Sequence, residues 1–295
     1  MVTWQYIGIV SKPFDKNNAY VSAVVKWIYE YLTNRGYNIF VDDNTGNCIM
    51  QLATKNMHFL PVEEMSANCD LIFSLGGDGT FISVARESKG NNVPIVGINL
   101  GTLGFLTDVI VDQIEEQLDI IFNGIYTLEH RPLLQVQIER DGEVIHSQVA
   151  ANEVVVHRWI TPSVIQIETR VDGKFVSTQR SDGMIVATPT GSTAYSLSAG
   201  GSIIHPSVPA LLLVPLNPHT LTNRPIIVSE NSTIELTFNQ KNEINALVTC
   251  DHLEIPNVLV GDKIIIKKAA NGFMILHPKT YDYYATLREK LNWSQ

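Results

Sequence analysis

Two spacings of hydrophobic residues alternate along the first third of the chain. Short apolar runs predict buried strands at residues 4–10, 37–41, 70–75 and 94–100. Segments with one apolar helical face separate or follow these runs, at residues 17–35, 80–88 and 111–123. Such an alternation of strands and helices predicts a largely parallel sheet with helices packed on its faces.

Beyond about residue 125 the spacing changes to the two-residue period of half-buried strands. Strands are predicted at residues 133–139, 144–156, 164–171, 174–178, 184–187, 226–238, 247–250 and 258–267. Asp141-Gly142 and Asp172-Gly173 stand between such runs and predict hairpin turns. Helical patterns return only near residues 192–199 and in the tail, at residues 281–291.

The change of spacing predicts a chain of two domains. We expect an α/β N-terminal domain with a largely parallel sheet over residues 1–125. A β-rich domain is expected over residues 126–279, and residues 280–295 are expected to pack back on the first domain.

Composition and charge narrow the possible partners. The chain has 295 residues, of which 45% are hydrophobic, and its net charge is −9. This charge argues against a nucleic-acid partner, which would need a basic face. The sequence shows no apolar run of roughly 18 residues and no signal-peptide pattern, so we expect a cytoplasmic protein without a membrane partner. The three cysteines form no CxxC pair, which argues against a disulfide framework or a zinc site.

The stretch Gly76-Gly77-Asp78-Gly79-Thr80 lies between a predicted strand and a predicted helix. Ligands of α/β sheets bind beyond the carboxyl ends of strands, and N–H groups at a helix start attract anions. Glycines admit positive φ and leave N–H groups uncovered, which suits a phosphate loop. Asp78 would repel a bare phosphate, so its place indicates a proton acceptor or a metal contact in phosphoryl transfer. The alternative is a structural Asp-Gly turn.

Other common site signatures are missing from the sequence. It contains no GxxxxGK[ST] loop, no GxGxxG after the first strand and no HExxH or nucleophile elbow. A second glycine stretch, at residues 99–106, either lines the same crevice or is a plain connector. The histidines show no metal-ligand spacing, and those near prolines are expected in turns: His205, His219 and His277.

A third stretch, at residues 180–201, is rich in glycine and small hydroxylated residues. Hydroxyl groups and exposed amides can bind ribose and pyrophosphate, and Tyr195 could pack on a base. The alternative is a serine-rich surface loop. Asn152-Glu153 sets an amide beside a carboxyl group between two strand runs, which by itself is a weak indication of a site.

Taken together, these stretches resemble the NAD kinase family, and the bacterial members most. The resemblance covers nearly the whole chain and rests on residues 76–80, 99–105, 152–153 and 181–196, with further likeness at 218–221, 224–225 and 277–279. GGDG alone is shared with lipid kinases and phosphofructokinases. The order GGDG, NE, TPTGSTAYS is far more specific.

The resemblance implies a two-domain fold with a site in the crevice between the domains. It implies phosphorylation of the adenosine ribose 2′-hydroxyl of NAD by ATP, giving NADP, with Mg²⁺ held through the ATP phosphates. By the matched motifs, Asp78 is the proton acceptor with Gly79 beside it. The other implied contacts are Asn152 and Glu153 at the ribose, Asp182 with Arg180 at the nicotinamide side, and Thr193, Ala194, Tyr195, Ser196, Leu197 and Ser198 at the adenine end, with Phe105 as a weaker candidate there. Homodimers or homotetramers are usual in the family.

One position departs from the family pattern. Many relatives carry glutamine where this chain has Leu253, two residues after Asp251. The leucine side chain makes no hydrogen bond, so we do not expect the contact that glutamine makes in relatives. His252 is the neighbouring polar residue that could replace it.

The rival hypotheses are a GGDG-type kinase acting on a lipid or sugar, and a non-catalytic sensor that binds NADP. The sequence leaves open ATP or polyphosphate as donor, and NAD or NADH as acceptor.

Overall fold

The structure is a computed structural model of the chain. It describes residues 4–12, 19–49, 57–88, 93–101, 103–158, 164–238 and 246–293, without the side chain of Cys48. The chain divides into two compact units. The first comprises Met1–Arg131 and Asn271–Gln295, and the second comprises Pro132–Ala270.

The first unit alternates strands and helices, as its sequence predicts. Its strands are β1 (Tyr6–Ser11), β2 (Asn38–Val41), β3 (Met57–Phe59), β4 (Leu71–Gly76), β5 (Pro94–Asn99), β6 (Val109–Ile110), β7 (Tyr126–Arg131) and β20 (Phe273–Pro278). Its helices are α1 (Ala19–Asn34), α2 (Asp43–Ile49), α3 (Val62–Asn68), α4 (Asp78–Glu87), α5 (Ile114–Phe122) and α7 (Tyr283–Lys290). A 3₁₀ turn at Val111–Gln113 leads into α5.

These strands form one sheet in the order β3-β2-β1-β4-β5-β20-β7, with β6 beside β5. All neighbouring pairs are parallel except β20 with β7. Strand β4 lies in the middle, between β1 and β5, so its carboxyl end at Gly76 is at the centre of the sheet edge. A parallel sheet binds its ligands at that edge.

Helices cover both faces of this sheet. On one face, α1 and α5 pack against alternate strand residues in a core that includes Val25, Leu118, Ile9 and Phe73. On the other face, the Met65 sulfur of α3 lies near Gly8, and the Phe81 ring of α4 lies 6.2 Å from that of Phe273. Burial on both faces explains why the sequences of these strands are continuous apolar runs.

The second unit is built from antiparallel strands. In chain order they are β8 (Leu134–Arg140), β9 (Glu143–Ala150), β10 (Glu153–Arg158), β11 (Ile165–Val171), β12 (Lys174–Ser181), β13 (Gly183–Ala187), β14 (Ala210–Leu216), β15 (Ile226–Ser229), β16 (Ile234–Phe238), β17 (Ala246–Cys250), β18 (Leu253–Ile255) and β19 (Lys263–Lys268). A 3₁₀ turn at Gly191–Thr193 precedes the short helix α6 (Tyr195–Ser198).

Two six-stranded sheets result, in the orders β15-β14-β13-β10-β17-β18 and β12-β11-β16-β19-β8-β9. Their facing side chains form one core, in which Val154 and Val186 of the first sheet join Val136 and Ile264 of the second. The other face of the first sheet is also buried, because Ile204 and its neighbours cover β13 and β14. The Asp-Gly turns form as predicted, with positive φ at both residues of each pair.

The predicted fold class is confirmed, while several boundaries differ. The first unit ends after Arg131 rather than after residue 125, because β7 pairs with β20 in the parallel sheet. The tail joins that unit from Asn271 rather than from residue 280, for the same reason. The expected strand over residues 144–156 is two strands in different sheets, and His277 lies inside β20 rather than in a turn.

Candidate functional site

The GGDG stretch forms the junction between β4 and α4. Gly76 ends the strand, Gly77 is the extended residue before the helix, with φ −116°, and Asp78 is the first helical residue. The helix therefore begins two residues before the position that apolar spacing predicts. The Gly77 carbonyl accepts the N–H groups of Thr80 and Phe81, so the Asp78 and Gly79 N–H groups lie at the positive end of the helix dipole.

The glycines of this junction serve different purposes. A Cβ on Gly76 would collide with the Thr80 side chain, so packing within the chain requires that glycine. Gly77 and Gly79 are exposed, with open space where a Cβ would stand, and neither takes a positive φ. The expected conformational reason for the glycines is therefore wrong. What remains for Gly77 and Gly79 is uncovered backbone, which suits close approach by a ligand.

Asp78 holds the loop that follows β5. Its Oδ2 accepts the Phe105 N–H at 2.9 Å, and its Oδ1 accepts the Leu106 N–H at 3.0 Å. The Thr107 hydroxyl lies 3.4 Å from Oδ1. Gly104 must be glycine here, because a Cβ would overlap the Asp78 carboxylate. One backbone donor for each oxygen fixes the carboxylate, and because the Thr107 hydroxyl also faces Oδ1, the further acceptor position is on Oδ2.

The loop is braced on its other side by Asn99. The Asn99 amide donates to the Thr107 hydroxyl at 3.0 Å, and its oxygen accepts the Gly101 N–H at 2.6 Å. Gly97 lets the loop approach β5, since a Cβ there would overlap the Leu106 carbonyl. The structure therefore brings the first two glycine stretches together. The Phe105 ring is half-buried and lies 6.0 Å from the ammonium group of Lys290.

In the second unit, Asp251 organises the Asn152-Glu153 pair. Its carboxylate accepts the N–H groups of Ala151, Asn152 and Glu153, at 3.1, 2.8 and 3.2 Å. The Asp251 N–H donates to the Glu153 carbonyl at 2.8 Å, and the residue has φ +54°. These bonds shape the connection between β9 and β10, where the chain passes from one sheet to the other.

Glu153 is a buried carboxyl group, with 6% of its surface exposed. Burial first, and the nearby Asp251 carboxylate second, raise the pKa of Glu153 to about 8. The protonated form of the side chain is therefore favoured at neutral pH. Its Oε2 is buried, and no described residue offers it a hydrogen bond. A neutral carboxylic acid with an unused oxygen can donate a hydrogen bond to a ligand hydroxyl.

The third stretch folds against the same connection. Thr188 donates its N–H to the Asn152 carbonyl at 2.8 Å and its hydroxyl to the Ala151 carbonyl at 2.7 Å. The Thr188 hydroxyl in turn accepts the Gly191 N–H at 3.1 Å. Gly191 must lack a side chain, because a Cβ would overlap the Asn152 backbone. Asn152, Thr188 and Gly191 therefore form one compact group.

The residues that follow Gly191 are not a serine-rich surface loop. Ser192 is fully buried, donates to the Pro189 carbonyl at 2.6 Å and accepts the Ile204 N–H at 3.0 Å. Ser196 is also fully buried, and its hydroxyl has no partner within the described chain. Tyr195 is 47% exposed at the start of α6. The remaining predicted contacts are half-buried or exposed: Thr193, Ala194, Leu197 and Ser198.

Asp182 pairs with a cation that the sequence reasoning did not single out. Its carboxylate lies 3.3 Å from Nε of Arg158 and accepts the Asn217 amide at 2.9 Å. Arg180, the expected neighbour, is exposed near the end of β12. Arg158 follows His157, which pairs with Gly183 across the β10–β13 ladder. Only that strand register, which the sequence did not reveal, brings Arg158 beside Asp182.

Two further positions bear on the site. His252 is exposed in the turn beside Asp251, and Leu253 is half-buried at the start of β18. Across the described ranges, no three His, Cys, Asp or Glu side chains are grouped as metal ligands would be. None of the helices in the described part of the chain is both long and apolar enough to span a membrane.

Comparison with known proteins identifies the family. Residues 7–126 match the profile of the ATP-NAD kinase N-terminal domain, and residues 151–277 match that of the C-terminal domain. A protein named NAD kinase from Methylococcus capsulatus is 42% identical over 288 residues, covering 98% of this chain and 97% of the relative. Another, from Shewanella piezotolerans, is 40% identical over 292 residues, covering 99% of this chain and 92% of the relative.

Solved structures agree with these sequence matches. Yeast NADH kinase complexed with NADH has a TM-score of 0.87 at 27% identity, covering 99% of this chain and 88% of that chain. An NAD kinase from Archaeoglobus fulgidus in complex with ATP has a TM-score of 0.75 at 26% identity, covering 98% of this chain and 99% of that chain. Since both family profiles match and relatives about 40% identical span nearly its whole length, the chain belongs to the NAD kinase family, whose members are ATP-dependent kinases.

Proposed function

We propose that the protein transfers the γ-phosphoryl group of ATP to the adenosine ribose 2′-hydroxyl of NAD, giving NADP and ADP. A bond forms between the 2′-oxygen and the γ-phosphorus, and the bond from that phosphorus to the β,γ-bridging oxygen breaks. The proton of the hydroxyl passes to the Asp78 carboxylate. Positioned proton acceptors of this kind accelerate reactions roughly a hundred- to ten-thousand-fold.

The observation that carries this proposal is the environment of Asp78. Its carboxylate is held by the Phe105 and Leu106 N–H groups at the start of α4. Gly77 and Gly79 stand on either side of Asp78, and packing within the chain does not require glycine at either position. Their open backbone is therefore available to a ligand. A fixed carboxylate beside uncovered N–H groups suits a reaction that needs both a base and stabilisation of phosphate charge. A structural Asp-Gly turn would not need these two open glycines.

We assign the binding of the dinucleotide to the second unit. Asn152 and Glu153 would contact the ribose, and the protonated Glu153 would donate a hydrogen bond to a ribose oxygen. Asp182 would contact the nicotinamide side, with Arg158 as the cation that orients it. Tyr195 would pack on the adenine ring, and its exposed ring is available for that contact.

Magnesium would enter as part of the substrate Mg·ATP. Mg²⁺ in kinase sites usually keeps several waters and is held by substrate phosphates with one or two carboxylates, so we expect the ATP phosphates to hold it here. Bound in this way, it would neutralise charge on the phosphates during transfer. We also propose a homodimer or homotetramer, on the family resemblance alone, and a cytoplasmic location.

The test is a coupled assay for NADP formation from NAD, ATP and Mg²⁺, with ADP measured in parallel. Stoichiometric NADP and ADP, with the new phosphate on the 2′-oxygen by ³¹P NMR, is the expected result. Parallel reactions would replace ATP with polyphosphate, and NAD with NADH, diacylglycerol or a sugar. Tight binding of NADP without ADP formation would support the hypothesis of a non-catalytic sensor. Phosphorylation of the lipid or sugar but not of NAD would show that NAD is not the acceptor.

A further inference from the structure

A buried charged group adjoins the loop that holds Asp78. We call it the His277 group, and it consists of Asp108, Glu129, Arg131, His277 and Tyr281, all in the first unit. His277 is 1% exposed, and its Nδ1 lies 3.0 Å from Oδ2 of Asp108. Its Nε2 lies 3.1 Å from Oε2 of Glu129, and its ring stacks on Tyr281 at 3.9 Å. The side chains of Asp108 and Glu129 are 7% and 27% exposed.

The geometry indicates the protonation state of His277. Both ring nitrogens face carboxylate oxygens at hydrogen-bond distance, and both can donate only when the ring is an imidazolium. Burial works to lower the pKa of His277, but the bonds to Asp108 and Glu129 outweigh it, so the pKa is raised. Arg131 contacts Glu129 at 3.0 Å, so two cations balance two carboxylates.

The connection to the site runs through adjacent residues of one loop. Asp108 directly follows Thr107, which lies 3.4 Å from Asp78 Oδ1 and accepts from Asn99. The Phe105 and Leu106 N–H groups that hold Asp78 come just before it. The other oxygen of Asp108, Oδ1, is buried without a partner among the described residues. The bond between Oδ2 and His277 therefore compensates the buried charge of this carboxylate.

We propose that His277 is a positioning residue for phosphoryl transfer, which anchors Asp108 and through it the loop that orients the Asp78 carboxylate. This inference rests on the proposed function, in which Asp78 accepts the proton. Misplacing a reacting group by about 1 Å costs up to about a hundredfold in rate. Loss of the anchor is therefore expected to lower kcat more than it raises KM for NAD.

Two variants of His277 separate the effect of its hydrogen bond to Asp108 from the effect of its buried charge. His277→Asn keeps an N–H near the place of Nδ1, facing Asp108, and loses the donor to Glu129. His277→Gln keeps an N–H near the place of Nε2, facing Glu129, and loses the donor to Asp108. Both remove the positive charge, so the loss of charge alone would affect them alike. The proposal predicts that kcat of His277→Gln lies at least about tenfold below that of His277→Asn.

Hydrogen–deuterium exchange of the unliganded protein gives a readout that does not depend on activity. Exchange of the Phe105 and Leu106 amides should be faster in His277→Gln than in His277→Asn. Tyr31→Phe serves as a control, because it removes a hydrogen bond to Asp119 between two other helices of the same unit. It should change neither kcat nor this exchange. Thermal unfolding of each variant shows whether the comparison is made on folded protein.

Asp108→Ala, which removes the oxygen that accepts the His277 N–H, keeps the test available if His277→Gln does not fold. It should reproduce the loss of kcat and the faster exchange at 105–106. Equal kcat in His277→Gln and His277→Asn would overturn the proposal, as would unchanged exchange in His277→Gln. Faster exchange without loss of kcat would also overturn it. If Asp78→Asn then kept full turnover as well, the error would lie in the role proposed for Asp78.

Discussion

Each unit contains an aspartate that fixes a neighbouring loop through backbone N–H groups, and the two aspartates differ in what surrounds them. Asp78 accepts one such bond on each oxygen and stands between the open glycines Gly77 and Gly79. Asp251 accepts three and lies beside the buried Glu153. The same hydrogen-bonding pattern therefore leaves one carboxylate beside open backbone and commits the other to shaping the connection between β9 and β10.

The largest expected effect is on turnover when the Asp78 carboxylate is lost. Asp78→Asn removes the proposed proton acceptor, so kcat should fall at least about a hundredfold, and up to about ten-thousandfold. The coupled NADP assay at saturating NAD and ATP measures this, with circular dichroism and thermal unfolding to show that the variant folds. Near wild-type kcat in a folded Asp78→Asn protein would mean that Asp78 only braces the loop.

The next effect concerns how stability depends on pH. Because the pKa of Glu153 rises from 4.5 to about 8 on folding, the folded state holds a proton that the unfolded state releases. Glu153 therefore stabilises the protein fully below about pH 4.5, and this contribution is lost as pH rises through about 8. From this group alone, stability should fall by roughly 3 to 5 kcal/mol across that interval.

Glu153→Gln stays uncharged and is the matched variant for this effect. The free energy of unfolding of both proteins can be measured in urea at about pH 5.5 and about pH 8.5. Relative to the wild type, the variant should be more stable at the higher pH than at the lower one. Parallel pH dependences in the two proteins would contradict a buried, protonated Glu153. In that case the ribose contact proposed for it would need an ionised carboxylate instead.

A smaller loss of stability is expected when the aspartate that shapes the connection between β9 and β10 is changed. In Asp251→Asn, an amide group that donates would face the Ala151 N–H, so one bond is lost at a cost of about 1 to 3 kcal/mol. Asparagine tolerates the positive φ of this position, so backbone strain does not confuse the result. Asp141→Asn is the control, since Asp141 has a similar φ in an exposed hairpin turn. Equal unfolding midpoints for the two variants would contradict the bracing role of Asp251.

The smallest effect tests whether helix α7 helps to hold the loop. The Lys290 ammonium group lies 6.0 Å from the Phe105 ring, at the outer limit of a cation–π contact. Lys290→Ala should lower stability by about 0.5 kcal/mol and leave amide exchange at 105–106 close to that of the wild type, with Lys290→Arg as the charge-preserving control. A large rise in exchange would give α7 a share of the loop's anchoring.

The sequence singles out the candidate site residues that lie on continuous segments. Residues 76–80 contain a strand end, a helix start and the carboxylate within a few positions, so their spacing alone indicates the phosphate loop. Apolar spacing placed the start of α4 two residues late, because Asp78 and Gly79 are polar or small although they are helical. The pairing of β7 with β20 was missed, and with it the first domain boundary.

Contacts between distant segments could not be predicted in the same way. His277 and Asp108 are 169 residues apart, and Asn152 and Asp251 are 99 residues apart. His277 was expected in a turn because proline follows it, yet pairing with β7 keeps it within a strand. Arg158 reaches Asp182 only through the register of β10 and β13. Such partners depend on strand order and register, which local periodicity does not determine.

The central claim is that Asp78 accepts a proton and does not merely hold the loop. Asp78→Ala, assayed in single turnovers with saturating NAD and ATP, can be supplied with small carboxylates of graded basicity. The account predicts that they restore part of the phosphoryl-transfer rate, and that the restored rate increases with the basicity of the added carboxylate. Restoration that is independent of basicity would show that the carboxylate is needed only as a hydrogen-bond acceptor, and would contradict the claim.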